Sequence, residues 1–106
     1  MPVVPFSTLV DRRGETTVVS LGGELDIATV PELRSLAFAE LDRNECRALI
    51  LDLAELSFVD STGIGSWIEI RLRAIGMGKT LILESVSAAV GRVLEISGLL
   101  ALFTAP

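Results

Sequence analysis

Residues 48–65 read ALILDLAELSFVDSTGIG, and this stretch decides the fold. Its first six residues are almost all apolar, which is typical of a central strand covered on both faces. Asp60 and Ser61 are residue types that begin helices, because their side-chain oxygens accept hydrogen bonds from free N–H groups of the first turn. Gly63 and Gly65 keep that turn free of bulk. The stretch therefore predicts a buried strand that leads into the N-terminus of a helix.

The segment before this stretch predicts a β-hairpin followed by a helix. Residues 6–10 and 16–21 have the composition of strands and flank a turn at Gly14. Thr29 and Glu32 have the spacing of a capping box, which marks a helix start. The helix that follows has one apolar stripe at helical spacing, formed by Val30, Leu33, Leu36, Ala37 and Leu41.

The helix that begins near Ser61 has two apolar arcs. One arc, which we expect to face the core, is formed by Ile64, Ile68, Leu72 and Ile75. Trp67 and Ile70 lie on the other arc. Two interpretations of that second arc are open. Its residues either pack under a neighbouring element, or they form an exposed apolar edge beside Ser61 that helps to dock a partner, a role that suits tryptophan.

The C-terminal part of the chain continues the alternation of strands and helices. Residues 80–83 predict a second buried strand, Ser87 a helix cap and Gly98 the end of that helix, and residues 100–103 predict a last short strand. The order β-β-α-β-α-β-α-β indicates an α/β fold, a small mixed sheet of about four to five strands with helices packed on it. The length of 106 residues fits one domain over residues 1–106.

Composition excludes several classes of function. The chain has no His, and Cys46 is its one cysteine, which excludes Ser-His-Asp and Cys-His catalysis and a zinc site. The isoelectric point near 4.6 and the net charge of −5 argue against nucleic acid as a partner. The sequence has no signal peptide and no apolar run long enough for a membrane span. We therefore expect a cytoplasmic protein that does not use imidazole or thiol chemistry and that has no metal, cofactor or membrane partner.

Three motifs resemble the STAS domain, most closely the stand-alone anti-sigma factor antagonists of bacteria. They are GELD at residues 23–26, LSFVDSTGIG at residues 56–65 and VLEISGL at residues 93–99. The resemblance covers residues 6–103 in the order and spacing of the family. It implies a STAS-type fold for the single domain.

The resemblance also implies a phosphorylation switch. Ser61, the first hydroxyl after the aspartate, matches the phosphoacceptor of the family, and Thr62 is the second candidate. In the family, the unphosphorylated antagonist binds an anti-sigma factor that is itself a serine kinase, and a sigma factor is released. Phosphorylation ends this binding, and a serine phosphatase reverses it. The expected partner surface contains Asp26, Asp60, Ser61, Thr62, Gly63 and, if its edge is exposed, Trp67.

Other expectations depart from the family or compete with it. Family members carry a further helix after the last strand, but the sequence ends at Pro106, three residues after the predicted strand, so either the helix is absent or the sequence has been trimmed. A sheet face left bare in this way would allow a homodimer. One alternative function is a STAS scaffold subunit of a larger signalling or lipid-transport complex. Another is a small-ligand or nucleotide-binding domain, which the lack of a P-loop disfavours.

Overall fold

The protein is a mixed four-stranded sheet with helices packed on it, in a computed structural model that describes residues 4–99 and Phe103. In chain order the elements are β1 (Ser7–Arg13), β2 (Thr16–Leu25), α1 (Val30–Leu41), β3 (Ala48–Val59), α2 (Ser61–Gly76), β4 (Thr80–Glu84) and α3 (Ala88–Ile96). The strand order is β1-β2-β3-β4, with β1 antiparallel to β2 and with β2, β3 and β4 parallel. This confirms the predicted mixed α/β fold.

The two central strands, β2 and β3, extend further toward the C-terminus than their apolar patterns predict. β2 continues to Leu25 because register shifts on either side of Gly22 and Gly23 absorb the irregularity as bulges. Gly23 has a φ of +81°, and a Cβ at this position would lie 2.7 Å from the carbonyl oxygen of Pro5. The extension carries β2 to the point where β3 ends at Val59.

The core lies on one face of the sheet and receives side chains from α1, α2 and α3. β3 directs Leu49, Leu51 and Leu53 into it, and all three are fully buried. The main helical contributors are Val30, Leu33, Ala37, Leu41, Trp67, Ile70, Ala74, Val90 and Leu94. Ile50, which points to the opposite face, is outside this cluster and partly exposed. Within the described residues the helices therefore cover one face of β3, rather than both as predicted.

α2 buries the arc that the sequence analysis left open and exposes half of the arc that it assigned to the core. Leu72 and Ile75 are 61% and 51% exposed, whereas Trp67 and Ile70 are fully buried. The indole packs edge-on against Phe103, with the ring centroids 6.4 Å apart. Burial of the large indole removes more apolar surface from water than burial of an isoleucine or leucine. Packing under a neighbouring element is confirmed, and Trp67 as an exposed partner contact is wrong.

A buried carboxylate ties the hairpin to α1. The Glu40 side chain, 7% exposed, accepts hydrogen bonds from Arg12 at 2.8 and 3.1 Å and from Arg43 at 3.4 Å. The Thr17 hydroxyl donates to it at 3.3 Å. The Arg12 hydrogen bond holds the pKa of the Glu40 carboxyl below its usual value, although burial opposes this shift. Glu40 is therefore ionised and joins three segments of the chain.

The C-terminal segment matches the prediction in part. Ser87 caps α3 by accepting from the Val90 N–H at 3.2 Å, and Gly98 follows the helix with a φ of +71°. Of the strand predicted over 100–103, residues 100–102 lie outside the described part of the chain. Phe103 is helical and buried, so it does not belong to a strand. The expected absence of a last helix is not supported at Phe103, which is helical, and otherwise falls on residues outside that part. The expected homodimer stays a prediction.

Among the described residues, no helix has the length and apolar character needed to cross a membrane.

Candidate functional site

The parallel strands β2 and β3 bring two carboxylates together at one edge of the sheet. Leu25 pairs with Val59, and the Asp60 N–H donates to the Leu25 carbonyl oxygen at 3.2 Å. Neighbouring strands lie about 4.8 Å apart, so the residues that follow them, Asp26 and Asp60, are close together. Two motifs that are distant in the sequence thus form one surface.

Asp60 is the N-cap of α2 and anchors its first turn. The backbone of Asp60 is extended, and its carboxylate Oδ1 accepts from the Gly63 N–H at 3.0 Å and from the Thr62 hydroxyl. Both hydrogen bonds lower the pKa of the Asp60 carboxyl, and the bond from the Thr62 hydroxyl has the larger effect. Asp60 therefore carries a full negative charge at neutral pH at the start of the helix.

The two candidate hydroxyls have different surroundings. Ser61 is the first residue of α2, and it is exposed. The free N–H groups and the positive end of the helix dipole favour an anionic group such as phosphate at this position. Thr62 is also exposed, but its hydroxyl donates to the Asp60 carboxylate. The geometry therefore fixes the Thr62 hydroxyl beside a charge, while Ser61 is open to another molecule.

Gly63 seats the start of α2 on the two strands. A Cβ at this position would lie 2.5 Å from Val59 Cγ2 and 3.1 Å from the Leu25 side chain. A Cβ at Gly65 would have no atom within 4 Å. Gly63 is thus required for close packing, whereas Gly65 is not, although the sequence analysis treated both glycines alike as keeping the turn free of bulk.

Asp26 organises the loop between β2 and α1. Its Oδ1 accepts from the N–H groups of Ala28 and Thr29, at 3.0 and 3.2 Å. The Thr29 hydroxyl donates to the Glu24 carbonyl oxygen at 3.0 Å and makes no side-chain cap for α1. The predicted capping box is therefore wrong, because the loop uses this hydroxyl. Asp26 is half-buried and stabilises a turn that presents Ile27 to solvent, 74% exposed.

Two exposed apolar residues beside the carboxylates were missed by sequence reasoning. Ile27 follows Asp26, and Phe58, which is 47% exposed, lies at the end of β3. Phe58 and Val93 help to line a shallow groove of about 100 Å³ between β3 and α3. The sequence holds no local signal for Phe58, because the alternation of buried and exposed residues in β3 breaks after Leu53.

Of the predicted site residues, Asp26, Asp60, Ser61 and Thr62 lie together where β2 and β3 end. Gly63 and Trp67 are buried, so neither is an exposed partner contact. Within residues 4–99 and Phe103, no group of three or more His, Cys, Asp or Glu side chains is arranged to hold a metal ion. The surface has the features of a docking site: exposed hydroxyls, fixed carboxylates and exposed apolar side chains.

Fold and site define a small α/β binding domain that is built around an exposed helix N-terminus. The chain belongs to the STAS domain family, whose sequence model matches residues 7–106. It is 38% identical over 82 residues to a Staphylococcus aureus protein named anti-sigma-B factor antagonist, covering 76% of this chain and 74% of that protein.

Solved structures of anti-sigma factor antagonists have the same fold as this chain. The crystal structure of an anti-sigma factor antagonist from Mycobacterium paratuberculosis has a TM-score of 0.81 and 26% identity, covering 93% of this chain and 83% of that one. The anti-sigma factor antagonist SpoIIAA in its unphosphorylated form has a TM-score of 0.77 and 29% identity, covering 92% and 86%. Phosphorylated SpoIIAA from Bacillus has a TM-score of 0.72 and 26% identity, covering 88% and 85%.

Proposed function

We propose that this protein is an anti-sigma factor antagonist that is switched by phosphorylation of Ser61. Its unphosphorylated form binds an anti-sigma factor serine kinase in the cytoplasm and so releases a sigma factor. The phosphorylated form does not bind, and a serine phosphatase restores the first form. The protein acts by binding, and the phosphoryl chemistry belongs to its partners. The observation that carries the proposal is the exposed Ser61 at the N-terminus of α2, directly after the Asp60 carboxylate that caps the helix.

The surroundings of Ser61 support a modification that leaves the fold intact. The residue is exposed and makes no part of the buried core. A phosphate at a helix N-terminus gains about 0.3–1 kcal/mol from the dipole. Phosphorylation should therefore preserve the domain.

The same surroundings support a large effect on binding. A phosphoserine adds about 1.5 to 2 negative charges beside Asp60, which is already ionised. Two like unit charges about 6 Å apart, at an effective dielectric of about 20, repel each other by an amount equal to roughly a hundredfold in affinity. A partner that buries this surface must also bury that repulsion. The modification therefore acts on the complex and not on the folded chain.

Ser61 is favoured over Thr62 as the acceptor. Phosphorylation of Thr62 requires its hydroxyl to leave the Asp60 carboxylate and brings the phosphate against that charge. Ser61 has no such requirement in this geometry, since Asp60 is held by Thr62 and Gly63.

Peptide-mapped mass spectrometry after incubation with host-cell extract and ATP tests the proposal. We expect one phosphoryl group on Ser61, its loss in Ser61→Ala and its retention in Thr62→Val. Ser35→Ala, an exposed serine in the middle of α1, is the matched control and should be phosphorylated like the wild type. Phosphorylation at another residue, or none, would overturn the proposal and favour the scaffold role.

A further inference from the structure

α2 carries an exposed apolar stripe on the side of the helix opposite to the core. Leu72 and Ile75 are 61% and 51% exposed, and Ile68 is partly exposed. Nothing in the described part of the chain covers Leu72 or Ile75, although α2 belongs to the core through its other face. These three residues are called the α2 stripe below.

The α2 stripe continues the face on which Ser61 lies. At 100° per residue, Ser61, Gly65 and the three stripe residues fall within an arc of about 80°. With a rise of 1.5 Å per residue, Leu72 lies about 16 Å from Ser61 along the axis, and Ile75 about 21 Å. A molecule that approaches Ser61 from the side of the helix therefore meets the stripe next.

The α2 stripe is too small in area to form a stable interface by itself. A stable interface buries about 800 Å² on each partner, which is a patch about 32 Å across. Three side chains cannot supply that area, so the stripe must belong to a larger interface. A patch about 32 Å across is wider than the distance of about 21 Å between Ser61 and Ile75, so one partner that covers Ser61, which under the proposed function is the kinase, can also cover the stripe.

We propose that the α2 stripe is a second contact for the protein that phosphorylates Ser61, and that this partner presents an apolar surface to Leu72 and Ile75. The inference rests on the proposed function and adds a part of the interface that no charge at Ser61 can disturb. The stripe contributes to affinity in the unphosphorylated complex, while the region of Asp26 and Asp60 senses the phosphate.

Two charged neighbours of the stripe are held in ion pairs on the side of α1. On the side of α1, Glu69 is paired with Arg34 at 2.9 Å. Arg73 is paired with Asp42 at 3.1 Å, and its guanidinium lies 4.3 Å from the centre of the Phe38 ring. These pairs join α1 to α2 and set the position of the stripe.

The test uses the full chain and the purified anti-sigma factor kinase that phosphorylates Ser61. Leu72→Gln with Ile75→Gln keeps good helix formers at exposed positions. We expect a Kd at least tenfold weaker, which is about 1.4 kcal/mol. For phosphorylation of Ser61 we expect a raised KM with an unchanged kcat, because the reacting atoms are untouched.

The matched control is Leu9→Gln. Leu9 is 68% exposed, but it pairs with Ser20 on the sheet face opposite to the helices. This variant should bind and react like the wild type. Trp67 fluorescence and unfolding midpoints show that both variants are folded.

The outcomes separate the inference from the proposed function. An unchanged Kd and KM in the double variant, with Ser61 still phosphorylated, overturns the inference and leaves the function in place. A wild-type dimer in sedimentation that becomes a monomer in the double variant also overturns it, because the stripe is then covered by a second copy. If no kinase of the host phosphorylates wild type on Ser61, the inference and the proposed function are both overturned.

Discussion

Gly63 and Gly65 lie in the same helical turn and have opposite surroundings, so they form a sensitive pair for testing how α2 is seated. A Cβ on Gly63 would lie 2.5 Å from Val59 Cγ2 and 3.1 Å from Leu25, whereas a Cβ on Gly65 has open space. Val59 and Leu25 are 6% and 0% exposed. Both side chains are thus enclosed by the core, and the valine is also stiff at χ1, so neither neighbour can move aside easily.

The expected magnitudes follow from two opposing effects. Replacing a helical glycine by alanine gains about 1 kcal/mol of helix propensity. Overpacking of a close contact costs about 1–3 kcal/mol. Gly65→Ala should therefore raise the free energy of unfolding by about 0.5–1 kcal/mol, and Gly63→Ala should lower it by up to about 2 kcal/mol. The two variants should differ by about 2 kcal/mol.

Urea unfolding measured by tryptophan fluorescence gives this difference directly. Trp67 is the one tryptophan, the chain has no tyrosine, and the indole is fully buried in α2. With an m value of about 1–2 kcal/mol per molar urea, the two midpoints should lie about 1–2 M apart. Equal stabilisation by both substitutions, or a Gly63→Ala more stable than wild type, would refute the account of the helix start.

Three further predictions concern charge. Glu40→Gln should lower the unfolding free energy by about 1–3 kcal/mol, because charge-assisted hydrogen bonds are lost. Arg13→Gln, which removes an exposed ion pair, should change it by less than about 0.5 kcal/mol. Because folding lowers the pKa of Glu40, its contribution to the free energy of unfolding is complete above the usual carboxyl pKa and is lost as pH falls through the lowered value. Urea midpoints of wild type and Glu40→Gln should therefore converge in acid, and midpoints that stay apart would contradict this. Thr62→Val should raise the pKa of Asp60 in an NMR titration, and an unchanged value would rule out the hydroxyl as the main cause. Ser61→Asp should leave the thermal midpoint within about 3 °C of wild type, and an unfolded variant would show that the modification acts on the fold.

The sequence predicted the order of elements well, because each one has a local signal. The apolar run of β3, the Asp60 cap of α2 and the Ser87 cap of α3 depend on neighbouring residues, and all three are confirmed. The extension of β2 to Leu25 could not be predicted in this way. It depends on bulges at Gly22-Gly23 and on pairing with β3, which is a long-range contact.

The rotation of α2 shows the limit of periodicity. Two apolar arcs of similar length have helical spacing, and periodicity alone does not say which one faces the sheet. The size of Trp67 and its contact with Phe103 decide the matter. At the site, the motif predicted the helix start at Asp60 and Ser61 correctly, because capping is local, whereas Gly63 is buried against the ends of the two strands. The exposed Phe58 and Ile27 required the strand ends to be located.

The most direct test of the central claim compares the two forms of the protein with the same kinase. Chain phosphorylated on Ser61 is separated from the unphosphorylated chain, and each is titrated with the anti-sigma factor kinase in a calorimeter and melted alone. The account predicts equal melting temperatures within a few degrees and a Kd at least a hundredfold weaker for the phosphorylated form. Equal affinities for the two forms, or a loss of binding that accompanies unfolding, would contradict it.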